Sequence, residues 1–417
     1  MKEPNLFVVS LLCGLLGSQL TQADTVSEDT RAAFATSRTE RIAVVGIGDS
    51  NQRFGGHGWS KYMAAALAET FGCWGTELKW ISAYQGEEED YGPAPTELTS
   101  PTFTGWYVPE GNTDKVSWKH GSMHIPADDP IDVSGPLKFS LTYGTFAKGE
   151  TGSFSPSIRI DQPPFNILET HEPISTVTGE YSLQTVSLKL PADAGRDTQI
   201  MFSVSPVNQE IRGPFYAESM QAVNTDKSTG IAYSTLYAQG GQSLFDMLTY
   251  FRNSLGEAKL IDYFTHIRAP LNGDKRCILM ISSGLNDRNE HRPSEGPQSG
   301  FSSSSPEGFR DNLLRIVQTL QSAWEKSGGD PDSLFFAFMP SHVLSDEKDG
   351  SLRPYRKEAL DLADELPHAG CILLPELVPH AEMVANRYYD RGTESNPHLS
   401  REGYKALSDA VARSVLE

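Results

Sequence analysis

Two hydrophobic patterns alternate along this chain. Residues 42–47 form an unbroken apolar run, Ile-Ala-Val-Val-Gly-Ile, and residues 59–71 then repeat apolar side chains every three or four positions. The first pattern predicts a strand that is buried on both faces, and the second predicts an amphipathic helix. A buried strand, a tight turn and a helix are typical of the first unit of a parallel α/β sheet.

The pattern changes between about Gln85 and Tyr233. Short segments there alternate apolar and polar residues with a period of two, and glycine, proline and aspartate separate them. The clearest examples are residues 137–143, 157–160 and 185–190. Such alternation with turn signals between the segments predicts an antiparallel sandwich, and a stretch of about 140 residues suits one all-β domain.

The α/β pattern returns after Tyr233. Strands are predicted at 278–283, 333–340 and 371–374, and helices at 309–326, 357–366 and 401–416. The β-rich block is therefore predicted to be inserted into one α/β domain, after the first strand–helix unit of that domain. The expected boundaries are a leader at 1–23, a discontinuous α/β domain at 39–85 and 230–417, and an inserted β-sandwich at 86–229.

The first residues have the pattern of a secretory leader. Lys2 precedes an apolar run at residues 6–16, and small or polar residues follow up to Ala23, where cleavage is expected. The run is well short of the roughly 20 residues that a membrane-spanning helix needs. The sequence thus predicts a secreted or periplasmic protein without stable membrane insertion.

Charge and cysteine content exclude several classes of function. The 417 residues include 35 Lys and Arg against 54 Asp and Glu, a formal net charge of −19. The field of such a chain repels polyanions, so nucleic-acid binding is not expected. Three cysteines follow the leader, at positions 73, 277 and 371, and an odd number does not indicate a disulfide framework. No Cys or His spacing indicates zinc, and we expect no cofactor or metal.

Four residues lie at the ends of predicted strands or in the loops of the α/β segments, near the edge where open parallel sheets bind ligands. Ser50 ends a Gly-Asp-Ser sequence directly after the first strand, and Gly241 lies in a Gly-Gly-Gln-Ser sequence. Asn286 follows the strand at 278–283, and His398 precedes the last helix. A serine hydroxyl, donors for an oxyanion and a histidine base are the components of nucleophilic ester hydrolysis.

Each of these residues also has an ordinary structural explanation. Serine is a preferred helix N-cap, so Ser50 could simply cap the helix that follows it. The glycines mark a turn, with Gly240 an alternative to Gly241, and an asparagine after a strand is typical of an Asx-turn. His398 could be a surface histidine, and His57 is a second candidate for the base.

Taken together, the order serine, glycine, asparagine, histidine resembles the SGNH, or GDSL-type, serine hydrolase superfamily. The matching segments are Gly48-Asp49-Ser50, Gly240-Gly241-Gln242-Ser243, Gly284-Leu285-Asn286-Asp287 and His398-Leu399-Ser400-Arg401-Glu402-Gly403-Tyr404. The resemblance covers about residues 39–85 and 230–417. It implies a flavodoxin-like αβα sandwich with a parallel sheet, interrupted here by an all-β, jelly-roll-like domain.

The resemblance also implies roles for the four residues. Ser50 attacks the acyl carbon, and His398 removes the serine proton and later delivers it to the leaving alcohol. The backbone N–H groups of Ser50 and Gly241, with the Asn286 amide, form the oxyanion hole.

One position departs from the superfamily pattern. An aspartate three residues before the histidine usually orients the ring, but this chain has Ser395 there. Glu394 and Asp390 are the nearby acids. Three interpretations stay open: a Ser-His dyad oriented by a backbone carbonyl, a displaced acid, or a weakened enzyme.

An exported hydrolase with an inserted β-sandwich resembles carbohydrate O-acetylesterases, which implies an acylated poly- or oligosaccharide as substrate. Trp106, Tyr107 and Trp118 are candidates for stacking on sugar rings, although aromatic residues are also common in sandwich cores. Two alternatives remain. One is a lipase, arylesterase or thioesterase of the same superfamily, and the other is a catalytically inert glycan-binding protein.

Overall fold

The chain folds around a parallel sheet and two antiparallel sheets. The computed structural model describes residues 25–52, 58–75, 79–80, 102–104, 121–125, 135–145, 153–160, 167–180, 182–190, 200–206, 216–238, 240–271, 276–288, 305–342, 352–390 and 398–416. The predicted leader, His57, Trp106, Tyr107 and Trp118 lie outside these residues, as do Glu394 and Ser395.

The central sheet has five parallel strands in the order β12-β1-β13-β14-β15. Their bounds are β1 Arg41–Gly48, β12 Gly230–Ala238, β13 Cys277–Ser283, β14 Leu334–Pro340 and β15 Ala369–Cys371. Every residue of β1, β12, β13 and β14 is buried, as expected for a parallel sheet covered on both faces. Alternate side chains of β1 therefore serve two separate cores, Val45 and Ile47 on one face and Ile42 and Val44 on the other.

Helices cover both faces of this sheet. They are α1 Glu28–Ala35, α2 Ser60–Phe71, α3 Leu244–Thr249, α4 Gly256–Arg268, α5 Pro306–Lys326, α6 Arg353–Glu365, α7 Leu374–Leu377, α8 His380–Ala385 and α9 Arg401–Ser414, with a π-helical turn at Tyr250–Leu255 between α3 and α4. Helices α3 to α6 pack on one core and α1, α2 and α9 on the other. No helix within the described residues is long and apolar enough to cross a bilayer.

Two antiparallel sheets lie between α2 and β12 in the chain. Their strands are β2 Lys79–Trp80, β3 Thr102–Thr104, β4 Gly121–Ile125, β5 Leu137–Gly144, β6 Ser153–Ile160, β7 Ile167–Thr170, β8 Ile174–Ser175, β9 Leu183–Leu190, β10 Ile200–Pro206 and β11 Tyr216–Asn224. One sheet has the order β3-β4-β10-β6-β7, with β8 paired to β6, and the other has the order β2-β11-β5-β9. Side chains of the two sheets share one core, where Phe139 and Leu141 meet Phe154 and Ile158.

Three local elements differ from the sequence prediction. The strand expected at 371–374 ends at Cys371, and helix α7 begins at Leu374. Pro375 explains the change, because proline cannot donate to a strand ladder but fits the first turn of a helix. Helix α1 was not predicted, although Ser27 caps it through its side chain. Strand β2, which the predicted boundaries assign to the α/β segment, pairs with β11 in the second antiparallel sheet.

Candidate active site

Ser50 lies directly beyond the carboxyl end of β1. It begins a three-residue 3₁₀ turn, Ser50–Gln52, and it is buried. The alternative that Ser50 caps the next helix is wrong, because α2 begins only at Ser60, with Trp59 at its N-cap. Ser50 is therefore not a helix cap, and its hydroxyl is available for another partner.

That partner is His398. The imidazole Nε2 lies 2.9 Å from Ser50 Oγ, although the two residues are 348 positions apart in the chain. A hydrogen-bonded hydroxyl and imidazole at this distance have the geometry of a nucleophile and its general base. The fold thus brings together the two residues on which the sequence-based mechanism depends.

A polar network behind Ser50 fixes the turn. The Gln52 amide donates to Tyr233 Oη over 2.5 Å and to Ser60 Oγ over 2.7 Å, and its Oε1 accepts from the Trp59 indole over 2.9 Å. This network requires a glycine at position 46, since a Cβ there would lie 2.1 Å from Gln52 Nε2 and 2.4 Å from Tyr233 Oη. Gly46, two residues before the first motif, therefore provides space for the buried Gln52 side chain.

Asp49 joins the serine loop to the loop that carries Asn286. Its carboxylate is 2% exposed and accepts from the Asn51 backbone N–H over 2.9 Å. Asn286 Nδ2 donates to the other carboxylate oxygen over 3.3 Å and to the Gln242 carbonyl over 3.0 Å. The amide of Asn286 therefore lies between the Ser50 turn and the glycine loop.

The glycine loop is held from its other side by Asp287. This buried carboxylate accepts from the Leu244 backbone N–H, at the start of α3, over 3.2 Å. Ser243 caps the same helix in a capping box with Asp246. Gly241 has a φ of 73°, a conformation that favours glycine. The requirement for glycine at position 241 thus follows from the backbone as well as from the resemblance.

His398 is positioned by the segment that follows α8 and by α9. Tyr389 and Leu399 form an antiparallel bridge, and the Asp390 backbone N–H donates to the His398 carbonyl over 3.0 Å. Tyr404, one turn into α9, donates its hydroxyl to Asn51 Oδ1 over 2.8 Å. The histidine and serine segments are thus connected a second time, beside the reacting pair.

Sequence reasoning placed Ser50, Gly241, Asn286 and His398 but did not identify the residues that hold them. These are Asp49, Asn51, Gln52, Tyr233, Asp287 and Tyr404, all buried. The available signal was a run of polar residues after a wholly apolar strand, which indicates that their polar atoms must be satisfied inside the fold. Within the described residues there is no cluster of three or more His, Cys, Asp or Glu side chains that could hold a metal ion.

No protein-family model and no curated protein matches the sequence. A solved structure of a peptidoglycan O-acetylesterase matches with a TM-score of 0.55 and 12% identity, over 93% of this chain and 94% of that one. The CBM35 module of Cellvibrio japonicus Abf62 covers 31% of this chain and 83% of its own, with a TM-score of 0.18 and 14% identity. A lipase from a goat rumen metagenome covers 44% and 79%, with a TM-score of 0.26 and 12% identity.

Identities this low concern the fold alone, and the two shorter matches have TM-scores too low to add to the argument. The match to the peptidoglycan O-acetylesterase spans nearly the whole of both chains, so it includes the α/β domain and the β-rich block together. The predicted fold class is therefore confirmed: an α/β domain with a parallel sheet, interrupted by an all-β sandwich.

Proposed function

We propose that this protein is a secreted or periplasmic serine esterase that removes acyl groups, O-acetyl groups in particular, from a poly- or oligosaccharide. The observation that carries the proposal is the 2.9 Å contact between Ser50 Oγ and His398 Nε2 at the carboxyl edge of the parallel sheet. The fold shared with a peptidoglycan O-acetylesterase supports a carbohydrate ester as the substrate class.

The reaction proceeds through an acyl-enzyme. His398 Nε2 takes the Ser50 hydroxyl proton as Oγ attacks the ester carbonyl, which requires the neutral ring to carry its proton on Nδ1. Collapse of the tetrahedral intermediate expels the sugar alcohol, which receives the proton from Nε2. Water then repeats the sequence: it loses a proton to Nε2, attacks the acyl-enzyme and releases the carboxylic acid as Ser50 regains its proton.

The oxyanion forms opposite donors that the loops already hold in place. Asn286 Nδ2 is the side-chain donor, and exchange of its longer bond, 3.3 Å to Asp49, for the oxyanion leaves the 3.0 Å bond to Gln242 intact. The backbone N–H groups of Ser50 and Gly241 complete the hole. Loss of one such donor typically costs about 2.7–4 kcal/mol of transition-state stabilisation.

Asp390 is the acid that the backbone geometry favours as orienter of His398. The bridge between Tyr389 and Leu399 is antiparallel, so the next pair along places Asp390 opposite His398. The Asp390 backbone N–H donates to the His398 carbonyl. Directly opposed residues on antiparallel segments have Cβ atoms roughly 4.5–5.5 Å apart, on the same side. An acid eight positions before the histidine thus replaces the usual aspartate three positions before it.

The test compares hydrolysis of p-nitrophenyl acetate, butyrate and octanoate by the wild type and by Ser50→Ala, with Ser175→Ala, an exposed sandwich serine, as the matched control. We expect acetate to be cleaved best, Ser50→Ala to lose the activity and Ser175→Ala to retain it. Acetylated glycans are the substrates to test after the p-nitrophenyl esters. Separately, N-terminal sequencing of the exported protein is expected to give a first residue near Asp24.

Other outcomes would replace the proposal. A preference for octanoate would indicate a lipase. An inactive wild type that binds glycans as well as Ser50→Ala does would indicate a glycan-binding protein. Retained activity in Ser50→Ala would exclude Ser50 as the nucleophile.

A further inference from the structure

A second candidate site lies at the opposite edge of the parallel sheet. An open cavity of about 350 Å³ lies between the β5, β9 and β11 strands of the sandwich, the end of α4 and the beginning of β1. Arg41, the first residue of β1, lines it, whereas Ser50 follows the last residue of that strand. At roughly 3.3 Å per residue, the eight-residue strand separates the two places by about 23 Å.

One wall of the cavity is an array of hydroxyl groups on the outer face of the sandwich. Ser140 and Thr142 of β5 contribute to it, and so does Thr185 of β9, whose hydroxyl lies 2.9 Å from that of Thr142. Gln221 of β11 adds an amide. Hydroxyl and amide groups can both donate and accept hydrogen bonds, which suits a ligand that is itself rich in hydroxyl groups.

The ionisable side chains at the cavity are all basic. Lys138 and Arg41 carry positive charge, and His266 contributes an imidazole whose Nε2 lies 3.0 Å from Thr142 Oγ1. The described residues that line the cavity include no aspartate or glutamate. The chain has a net charge of −19, so its overall electrostatic potential is negative. The basic side chains make the potential in this cavity positive, which favours an anionic ligand.

Arg41 strengthens the case, because its charge is buried without a carboxylate. The residue is 7% exposed, and its guanidinium donates to the carbonyl groups of Lys227, Pro270, Asn224 and Thr225. Burial lowers the pKa of this guanidinium, since the charged form loses solvation. Carbonyl groups solvate this charge but no described carboxylate forms an ion pair with it, so an anion in the cavity would meet a cation that no described carboxylate neutralises.

We propose that this cavity binds an acidic monosaccharide unit, with the sugar carboxylate facing Arg41 and Lys138 and the ring hydroxyls facing the array on β5 and β9. The volume lies within the roughly 300–1,000 Å³ range of small-molecule sites. The site is independent of ester hydrolysis, and it anchors an anionic glycan far from the reacting serine.

The test is calorimetric titration of the full-length protein with D-glucuronate and with D-glucose, which has a hydroxymethyl group in place of the carboxylate. Inorganic phosphate is the third ligand, as a small anion without a ring. We expect saturable binding of glucuronate at least tenfold tighter than that of glucose or phosphate. Ser50→Ala is expected to bind glucuronate with the Kd of the wild type.

Two variants locate the site. Lys138→Ala is expected to weaken glucuronate binding tenfold or more, and Thr185→Trp to abolish it by filling the cavity; both positions are exposed, so the fold should tolerate them. Lys189, the cross-strand partner of Lys138, is also exposed but does not line the cavity. Lys189→Ala is the matched control, with an expected change in Kd below threefold.

Four results would overturn the inference. Absence of saturable glucuronate binding removes the site altogether. Equal Kd values for glucose and glucuronate exclude recognition of the carboxylate, and equal values for phosphate and glucuronate exclude recognition of the sugar. Equal losses in Lys138→Ala and Lys189→Ala exclude this cavity as the location.

Discussion

The two edges of the parallel sheet are built in different ways. At the carboxyl edge, side chains bond to one another: Ser50 to His398, Asp49 to Asn286 and Tyr404 to Asn51. At the amino edge, Arg41 bonds only to backbone carbonyl groups, and a cavity remains beside it. At the first edge the paired polar groups surround the candidate nucleophile, whereas at the second edge paired hydroxyl groups and cationic side chains surround an open volume.

This difference is the one expected between a preorganised catalytic site and a binding site. Catalysis gains most when donors and bases are fixed before the substrate arrives, because no reorganisation is then needed as charge develops. A binding site needs only complementary groups and room for the ligand. We therefore expect substitutions at the carboxyl edge to change rates strongly, and substitutions elsewhere to act mainly on stability or on ligand binding.

The largest expected effect is that of His398→Ala. Removal of the general base should lower kcat for p-nitrophenyl acetate by about 10³-fold while the protein stays folded, because general-base catalysis typically contributes 10²–10⁴-fold. His171→Ala, at an exposed histidine of the sandwich, is the control and should retain full activity. A His398→Ala variant with more than a tenth of the wild-type kcat would show that the contact with Ser50 is not catalytic.

Part of this arrangement could be predicted from the sequence. Strands β1 and β13 are recognisable because burial on both faces leaves an unbroken apolar run, and the serine, asparagine and histidine follow from short local motifs. The supporting bonds are long-range: Tyr404 meets Asn51 across 353 residues, and Gln52 meets Tyr233 across 181. Local sequence patterns do not indicate which distant residues will contact each other, so these hydrogen bonds are seen only in the folded chain.

The second prediction concerns Asp390, the proposed orienter of His398. Asp390→Asn should lower kcat by roughly 10²-fold with little change in KM, since loss of the acid in a triad misdirects the histidine without removing it. The acidic limb of the kcat/KM profile should also move to lower pH, because a negative charge no longer stabilises the imidazolium ion.

Two further variants decide between the alternatives for this role. Asp409→Asn, on the surface of α9 where Asp409 pairs with Lys405, is the matched control and should keep the wild-type profile. If Glu394→Gln shows the loss and the shifted limb while Asp390→Asn does not, Glu394 is the orienter. If neither variant changes the profile, the dyad interpretation replaces the triad.

The third prediction tests whether the carboxyl edge is as tightly packed as its bonds indicate. Gly46→Ala adds a methyl group 2.1 Å from Gln52 Nε2, so we expect a loss of about 1–3 kcal/mol in the free energy of unfolding, measured with urea. The loss caused by Gly46→Ala should be smaller in the Gln52→Ala background than in the wild type, because only the clash with Tyr233 Oη then remains. Additive losses would place the strain elsewhere.

The smallest expected effect concerns the buried thiols, which test whether either edge opens to solvent. Cys277 begins β13 at the amino edge, Cys371 ends β15 near the carboxyl edge, and both are free and buried. Burial raises the pKa of Cys371 to about 12 and also raises that of Cys277. Neither thiol should react with Ellman's reagent at pH 8 in the folded protein.

The same raised pKa values predict that the free energy of unfolding falls at alkaline pH. An unfolded thiol loses its proton near pH 9, whereas the folded Cys371 keeps its proton up to about pH 12. Its contribution to stability is therefore complete below pH 9 and is lost as the pH rises from 9 to 12, at no more than about 1.4 kcal/mol per pH unit. Urea unfolding at pH 8, 9 and 10 should show this decline, and Cys371→Ala should show a shallower one. An equally steep decline in the variant would assign the alkaline sensitivity to other groups.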